Sequence, residues 1–152
     1  MNTADDIQVV AFRVGALELA LEISQVERIL RYQQPSALPR APAFLEGVVR
    51  YEGMAVPVVD LRKRLELAAL VGEDTRLMIL ELDGPRVGVI VDQVREVIRV
   101  DSTTIAAPPP MVRGLAAAYI AGIITQGEHA ILLLNAQRLL SATERLALTQ
   151  TA

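Results

Sequence analysis

The sequence predicts a mostly β protein built of two packed five-stranded β-barrels with short helices. Two repeats and a strand rhythm predict it. The first repeat is a twenty-two-residue pattern present twice without a gap, FLEGVVRYEGMAVPVVDLRKRL at Phe44–Leu65 and YIAGIITQGEHAILLLNAQRLL at Tyr119–Leu140. Gly47 aligns with Gly122, Asp60 with Asn135, and apolar residues face each other at Val48/Ile123, Val56/Ile131, Val58/Leu133 and Val59/Leu134. The second repeat lies upstream, where ISQVERILRY (Ile23–Tyr32) matches VDQVREVIRV (Val91–Val100). The spacing between the two blocks differs by several residues, so the difference belongs in a loop. A duplicated unit of roughly seventy residues implies two similar modules stacked together. A module that small buries a limited core alone, so the halves should lean on each other across an apolar seam.

The elements follow in order. Ile7–Val14 reads as a strand, Gly15-Ala16 as a tight turn, and Leu17–Leu21 as the return strand. Ile23–Gln25 suits one helical turn, and Val26–Tyr32 a third strand. Residues 33–43 hold three prolines and form a loop. Gly47–Tyr51 and Ala55–Val59 flank Glu52-Gly53-Met54 as a hairpin. Asp60 is placed to cap a short helix, Leu61–Leu65, by accepting its free N–H groups. Residues 66–75 join the halves. Arg76–Leu82 and Arg86–Val91 are strands about Asp83-Gly84-Pro85, with Val87, Val89 and Val91 on one face and Gly88 opposite. Val94–Val100 repeats the third strand, and 102–118 is loop. Ile120–Thr125 and Ala130–Leu134 form the second hairpin, followed by Asn135 in the capping place of Asp60. Ser141–Glu144 has the form of a capping box, so a last helix should occupy about 142–149. Many short Val-rich strands indicate small closed barrels, which remove the exposed edges such strands would present. Two SH3-like barrels are expected, one from about 7–65 and one from about 76–140, within a single domain spanning 1–152.

Composition excludes several function classes. Half of the residues are apolar (52%) and aromatics are scarce (3%), so the core must be aliphatic. Net charge is −3 and the basic residues are dispersed, which leaves no electrostatic footprint for nucleic acid. Without cysteine there is no thiolate metal site and no disulfide. The N-terminus lacks a signal pattern, and no apolar run approaches the ~18 residues of a membrane span, so a cytoplasmic location without membrane insertion is expected. His129 is the only histidine and falls at a hairpin tip, which suits a solvated role better than catalysis or zinc. The carboxylates are dispersed and no Gly-rich phosphate loop appears. No enzyme chemistry, metal or cofactor is expected.

At Gly47–Leu61, GVVRYEGMAVPVVDL resembles the signature of the CheW-like family, G-V-I-N-L-R-G-x-x-x-P-V-I-D-L. VGVIVDQVREVI resembles the family's VGLIVDxVxEVL, and the second long repeat its YIxGIxxxxxxLIxLLDxxKLL. The resemblance covers 7–148 in order. It implies a two-barrel adaptor that couples the cytoplasmic tips of methyl-accepting chemoreceptors to a CheA-type histidine kinase. The adaptor binds the kinase's regulatory domain, which has the same fold, through the barrel ends, and the receptor through a groove near the junction.

The resemblance also implies site residues. Val26, Ile29, Val94 and Val97 occupy positions of receptor or kinase contact, although each also suits barrel core. Alternation along the third strand puts Val26 and Arg28 on one face and Ile29 on the other. The family's N-L-R-G is here Arg50-Tyr51-Glu52-Gly53, and its V-Q-E-I is Val26-Glu27-Arg28-Ile29. The family's Arg and acid are thus exchanged, and an inverted salt bridge between Arg28 and Glu52 is expected, with a role in partner choice. Gly47, Gly53, Gly88 and Gly122 read as structural, and Pro57 as the mark of an edge strand or a bulge. Two other readings remain open. One is an adaptor of the same family in a non-chemotactic pathway, such as control of type IV pili or surface sensing. The other is a small-ligand-binding barrel, which would gather buried polar groups at the junction.

Overall fold

The computed structural model describes residues 6–64, 67, 71–108 and 119–140. In chain order these form β1 (Asp6–Val14), β2 (Leu17–Glu22), a 3₁₀ turn (Ile23–Gln25), β3 (Val26–Arg31), β4 (Gly47–Tyr51) and β5 (Met54–Asp60). The short helix α1 (Leu61–Arg64) follows, then β6 (Arg76–Glu81), β7 (Arg86–Val91), β8 (Gln93–Asp101), a 3₁₀ turn (Ser102–Thr104), β9 (Ile120–Gln126), β10 (His129–Leu134) and a 3₁₀ turn (Ala136–Arg138). The strands fall where hydrophobic alternation and the turn residues put them, within a residue or two. The expected helix at about 142–149 lies outside the described residues.

The strands form two five-stranded sheets, ordered β8-β1-β2-β10-β9 and β3-β6-β7-β5-β4. These sheets are not the two successive halves of the chain, as the division at 66–75 had suggested. The leading hairpin of each half, β1-β2 or β6-β7, has crossed into the sheet of the other half. Replacing each strand by its repeat partner (β1 by β6, β2 by β7, β3 by β8, β4 by β9, β5 by β10) converts one order into the other. The halves are therefore related by an approximate two-fold with a reciprocal exchange of hairpins. Each exchanged hairpin joins its new sheet by a parallel pairing, Leu132↔Leu19 in one and Val58↔Gly88 in the other.

Burial explains why the central strands read as continuous apolar runs rather than alternating ones. Val49, Tyr51, Val56, Val58, Leu77, Ile79 and Ile90 form one interior, with Leu30 packed against it, so all five strands of that sheet curl around it. Val9, Ala20, Val100, Ile124, Ile131 and Leu133 form the interior of the other. A third and larger cluster lies between the sheets and takes the opposite faces of the same strands, including Val10, Phe12, Leu19, Leu21, Val59, Met78, Leu80, Val87, Val89 and Leu134. Side chains alternate across a strand, so a strand with a barrel interior on one face and a neighbouring barrel on the other needs apolar residues at every position. Each fully buried Leu, Ile or Val at this seam contributes roughly 1.5–3 kcal/mol.

The glycines of the long repeat mark the same event in both barrels. Val48 exchanges backbone hydrogen bonds with Ser36, and Ile123 with Ala106, so a loop strand seals the outer edge of β4 and of β9. A side chain on Gly47 would run into the Ser36 carbonyl, and a Cβ on Gly122 would stand 2.5 Å from Ile105. Gly88 faces the barrel interior, where a Cβ would stand 3.1 Å from Leu77. Pro57 lies neither on an edge nor at a bulge, since β5 runs between β4 and β7 in unbroken register. Its missing N–H costs the pairing with β4 nothing, because Val48, directly opposite, gives both its backbone groups to Ser36.

Candidate partner-binding surface

Strands β3 and β8, one end strand of each sheet, carry the candidate apolar residues, and each contains a bulge. In β3 the register shifts between Val26, opposite Leu80, and Arg28, opposite Ile79, leaving Glu27 as the inserted residue. In β8 it shifts between Val94, opposite Phe12, and Glu96, opposite Ala11, leaving Arg95 inserted. One inserted residue inverts the alternation beyond it. Val26 and Ile29 therefore share the face that looks toward the seam, and Arg28 takes the opposite face. This corrects the expected grouping of Val26 with Arg28. Val94 and Val97 share the seam face of β8 for the same reason. Val26 and Val94 pack against the shared core, while Ile29 and Val97 lie farther out and are 38% and 49% exposed. Equivalent apolar pairs thus flank the seam from the two barrels.

The bulges also organise the charges. Arg86 Nε lies 3.0 Å from a Glu27 carboxylate oxygen, and its Nη1 lies 3.7 Å from Glu52. The expected bridge between Arg28 and Glu52 is not formed. The Arg28 guanidinium instead sits 6.0 Å from the centre of the Tyr51 ring, which also carries Arg86 at 5.6 Å. The bulge causes this outcome: it turns Arg28 onto the ring and aims Glu27 at Arg86. The positive charge that answers Glu52 comes from β7, a strand that the β3–β4 comparison did not include. Tyr51 is buried, with Glu27 near its hydroxyl. Burial pushes its pKa above the ordinary value, and the Glu27 hydrogen bond and the Glu52 charge add to the shift. Because β3 and β4 are the first and last strands of their sheet, this cluster also closes the barrel. Glu52 and Gly53 form the tight turn of the β4–β5 hairpin, with φ of 51° and 77°. Gly53 adopts this conformation freely, whereas Glu52 is held there by the hairpin.

A second polar cluster is buried at the junction. Asp60 caps as expected, its Oδ1 accepting from the Arg62 backbone N–H at 2.9 Å. It also receives the Arg62 side chain through both oxygens, at 3.0 Å each. The other arm of Arg62 donates to Asp92 at 3.1 Å, and the second Asp92 oxygen accepts from the Gly15 backbone at 2.6 Å. One guanidinium thereby ties β5, the β7–β8 crossover and the β1–β2 turn together across both sheets. Burial disfavours its charge, but Asp60 and Asp92 outweigh that effect and raise its pKa. In the second repeat the arrangement is neutral, with Asn135 Oδ1 accepting from the Gln137 backbone N–H at 3.0 Å. Sequence reading missed Arg62 and Asp92. The available signal was the cap pair itself, since a buried Asp at a helix start beside an Arg asks for a countercharge.

These buried polar groups face one another rather than a cavity. Among the described residues, no buried side-chain nitrogen or oxygen lacks a hydrogen-bond partner, and no group of three His, Cys, Asp or Glu could hold a metal ion. Likewise among them, no helix is long and apolar enough to cross a membrane. His129 is exposed at the tip of the β9–β10 hairpin, 3.9 Å from Glu18.

Comparison with known proteins agrees with this architecture. A family model described as a CheW-like domain matches residues 8–144. The chain is 30% identical over 145 residues to a chemotaxis protein CheW of Treponema pallidum, covering 92% of this chain and 85% of that protein. It is 31% identical to the chemotaxis protein CheW of Bacillus subtilis, covering 88% and 86%, and 33% identical to protein FrzA of Myxococcus xanthus, covering 91% and 88%. The crystal structure of scaffolding protein TtCheW from Thermoanaerobacter tengcongensis superposes with a TM-score of 0.81 at 29% identity, over 91% of this chain and 94% of that one. With sheet topology, repeat and family match in agreement over nearly its whole length, this chain belongs to the CheW-like family.

Proposed function

We propose that this chain is a non-enzymatic cytoplasmic scaffold that couples the signalling tips of chemoreceptors to the regulatory domain of a CheA-type histidine kinase. The observation that carries the reading is the pair of matched apolar positions beside the seam, Val26 with Ile29 and Val94 with Val97, in a member of a family whose relatives are chemotaxis and scaffolding proteins. Ile29 and Val97 leave 38% and 49% of their surface exposed beside the seam, which suits contact with another protein. The buried polar residues support a scaffold over a ligand-binding barrel. Asp60, Arg62 and Asp92 use their hydrogen-bonding capacity on each other and on backbone, and so present no recognition group to a small molecule.

The test is a pull-down from the source cell with this protein as bait, in parallel with Ile29→Lys and Val97→Lys. Both substitutions replace exposed side chains, and the thermal transition of each variant is expected to stay in place. The expected result is recovery of a CheA-type kinase and a receptor with the native bait, with the receptor or the kinase depleted by a lysine. Recovery of neither partner by the native bait overturns the reading.

A further inference from the structure

The repeat that carries the apolar pairs continues in each copy to an arginine, Arg31 on β3 and Arg99 on β8. Strand register puts both on the seam face. Arg31 stands opposite Arg76, two residues past the pairing of Ile29 with Met78. Arg99 stands opposite Gln8, two residues past the pairing of Val97 with Val10. Met78 and Val10 both belong to the core between the sheets. Each bank of the seam therefore runs from a packed valine through an exposed apolar residue to an exposed arginine, Val26-Ile29-Arg31 and Val94-Val97-Arg99.

The two places are equivalent in the fold but differ in charge balance. The hollow beside Arg99 is lined by Asp6, Gln8 and Glu22 among others, so acids outnumber the cation. Its equivalent beside Arg31, of about 390 Å³, is lined by Arg31, Tyr32, Glu73, Thr75 and Arg76 among others, so cations outnumber the acid. Like charges directly opposite on paired strands weaken a sheet, so the fold gains nothing from setting Arg31 against Arg76. Among the described residues, neither guanidinium forms an ion pair. Arg76 is nevertheless held in place. Its Nη1 donates to the carbonyls of Glu73 and Thr75 at 2.9 and 3.0 Å, and the Thr75 hydroxyl braces the turn by accepting from the Gly72 N–H at 2.8 Å. The Nε and Nη2 donors of Arg76 remain for a ligand, and Arg31 stands beside them. Two guanidinium groups at one hollow suit a carboxylate, which accepts several charge-assisted hydrogen bonds at once.

We propose that the Arg31–Arg76 hollow is a carboxylate site that takes an acidic side chain of the receptor segment docked over Ile29. The inference rests on the coupling role and adds a selection rule to it, since a segment with a basic residue at that place is rejected. A protein side chain is the occupant because the hollow continues the exposed apolar bank of β3. Two residues of strand advance about 6.6 Å and one helical turn rises about 5.4 Å, so in a helical segment the acid stands three or four residues from the apolar anchor.

The test measures the affinity of the purified full chain for the cytoplasmic segment of the receptor recovered in the pull-down, with the kinase measured in parallel. Arg31→Glu is expected to weaken the receptor segment about tenfold or more and to leave the kinase within about twofold. Arg31→Lys keeps the charge and is expected to lose less. Arg99→Glu, the equivalent change on the other bank, is expected to stay within about twofold of native. Arg31 is exposed, and circular dichroism of each variant checks the fold. An Arg31→Glu variant that binds the receptor segment like the native chain overturns the proposal. So does an equal loss in Arg99→Glu, which would mean general attraction to a basic surface, or an equal loss of the kinase. Inorganic phosphate and acetate are titrated into the chain alone. Saturable binding that Arg31→Glu abolishes, with receptor affinity unchanged, would make the hollow a free-anion site and overturn the proposal as well. Failure of the native bait to recover any receptor defeats the coupling role and this site together, whereas native recovery with an unaffected Arg31→Glu defeats the site alone.

Discussion

Replacing Arg62 with Met removes the one cation that holds the junction cluster together. Arg62 and Asp60 are 2% and 4% exposed, and among the contacts of the guanidinium are two to Asp60 and one to Asp92. Methionine fills most of the volume, so the change leaves a buried carboxylate without its countercharge rather than a large cavity. Breaking a buried pair by removing one partner costs about 3–5 kcal/mol. At ~3 °C per kcal/mol for a domain of this size, the midpoint of thermal unfolding should fall by roughly 10 °C or more. The second repeat supplies its own control. Its capping residue is Asn135 and the residue two positions on is Gln137, a neutral version of the same cap. Asp60→Asn added to Arg62→Gln should therefore be more stable than Arg62→Gln alone, because it removes the stranded charge. Urea unfolding of the native chain, both single variants and the double variant, analysed as a cycle, measures the coupling. A loss below about 1 kcal/mol for Arg62→Met, or a double variant no more stable than Arg62→Gln, would refute the assignment of the cluster as a mutually dependent charge network.

Two further outcomes follow from the fold. Expressed separately, residues 1–70 and 71–152 should each remain unfolded by circular dichroism, because each sheet takes strands from both halves; co-expression should restore a folded complex, and a stable isolated half would refute the exchange. Tyr51, whose pKa is raised in the folded state by burial and Glu27, contributes stability that is intact below its unfolded value of 10.0 and lost as pH rises through the folded value. The native chain should thus lose stability above about pH 10 more steeply than Tyr51→Phe, and parallel alkaline curves would argue against the buried hydroxyl.

The local elements were legible in the sequence because each rests on local chemistry. Gly15, Gly53 and Gly84 all adopt positive φ in the turns the sequence marks, and the β2–β3 helical turn and the Asp60 cap appear where expected. Gly47 and Gly122, read from the sequence as structural, both admit the backbone of a loop strand. The exchange of hairpins was not legible. Val10 and Phe12 look the same in sequence whether they pack on their own half or on the other, since the hydrophobic effect does not specify a partner. The pairings that record the choice, β1 with β8 and β2 with β10 in one sheet and β6 with β3 and β7 with β5 in the other, join residues far apart in sequence.

The candidate site failed in a more instructive way. A period-two reading assumes one residue per step, and the inserted Glu27 and Arg95 break that assumption at the positions of interest. Nothing in VERI or VREV signals a bulge in isolation. The pair does carry a signal, since both place apolar residues three apart with charges between them. Three apart is the wrong parity for one face of a regular strand, yet Val26 and Ile29, like Val94 and Val97, all suit the same apolar surroundings. Taken as a strand with one extra residue, the same spacing puts both apolar side chains on the seam and sends Arg28 and Glu96 to the barrel ends. The alignment alone then shows the charges there inverted, with Glu27-Arg28 set against Arg95-Glu96. Duplication makes such a pattern informative: the shared bulge is what the fold requires, and the opposite signs at equivalent positions are free to vary without harming it.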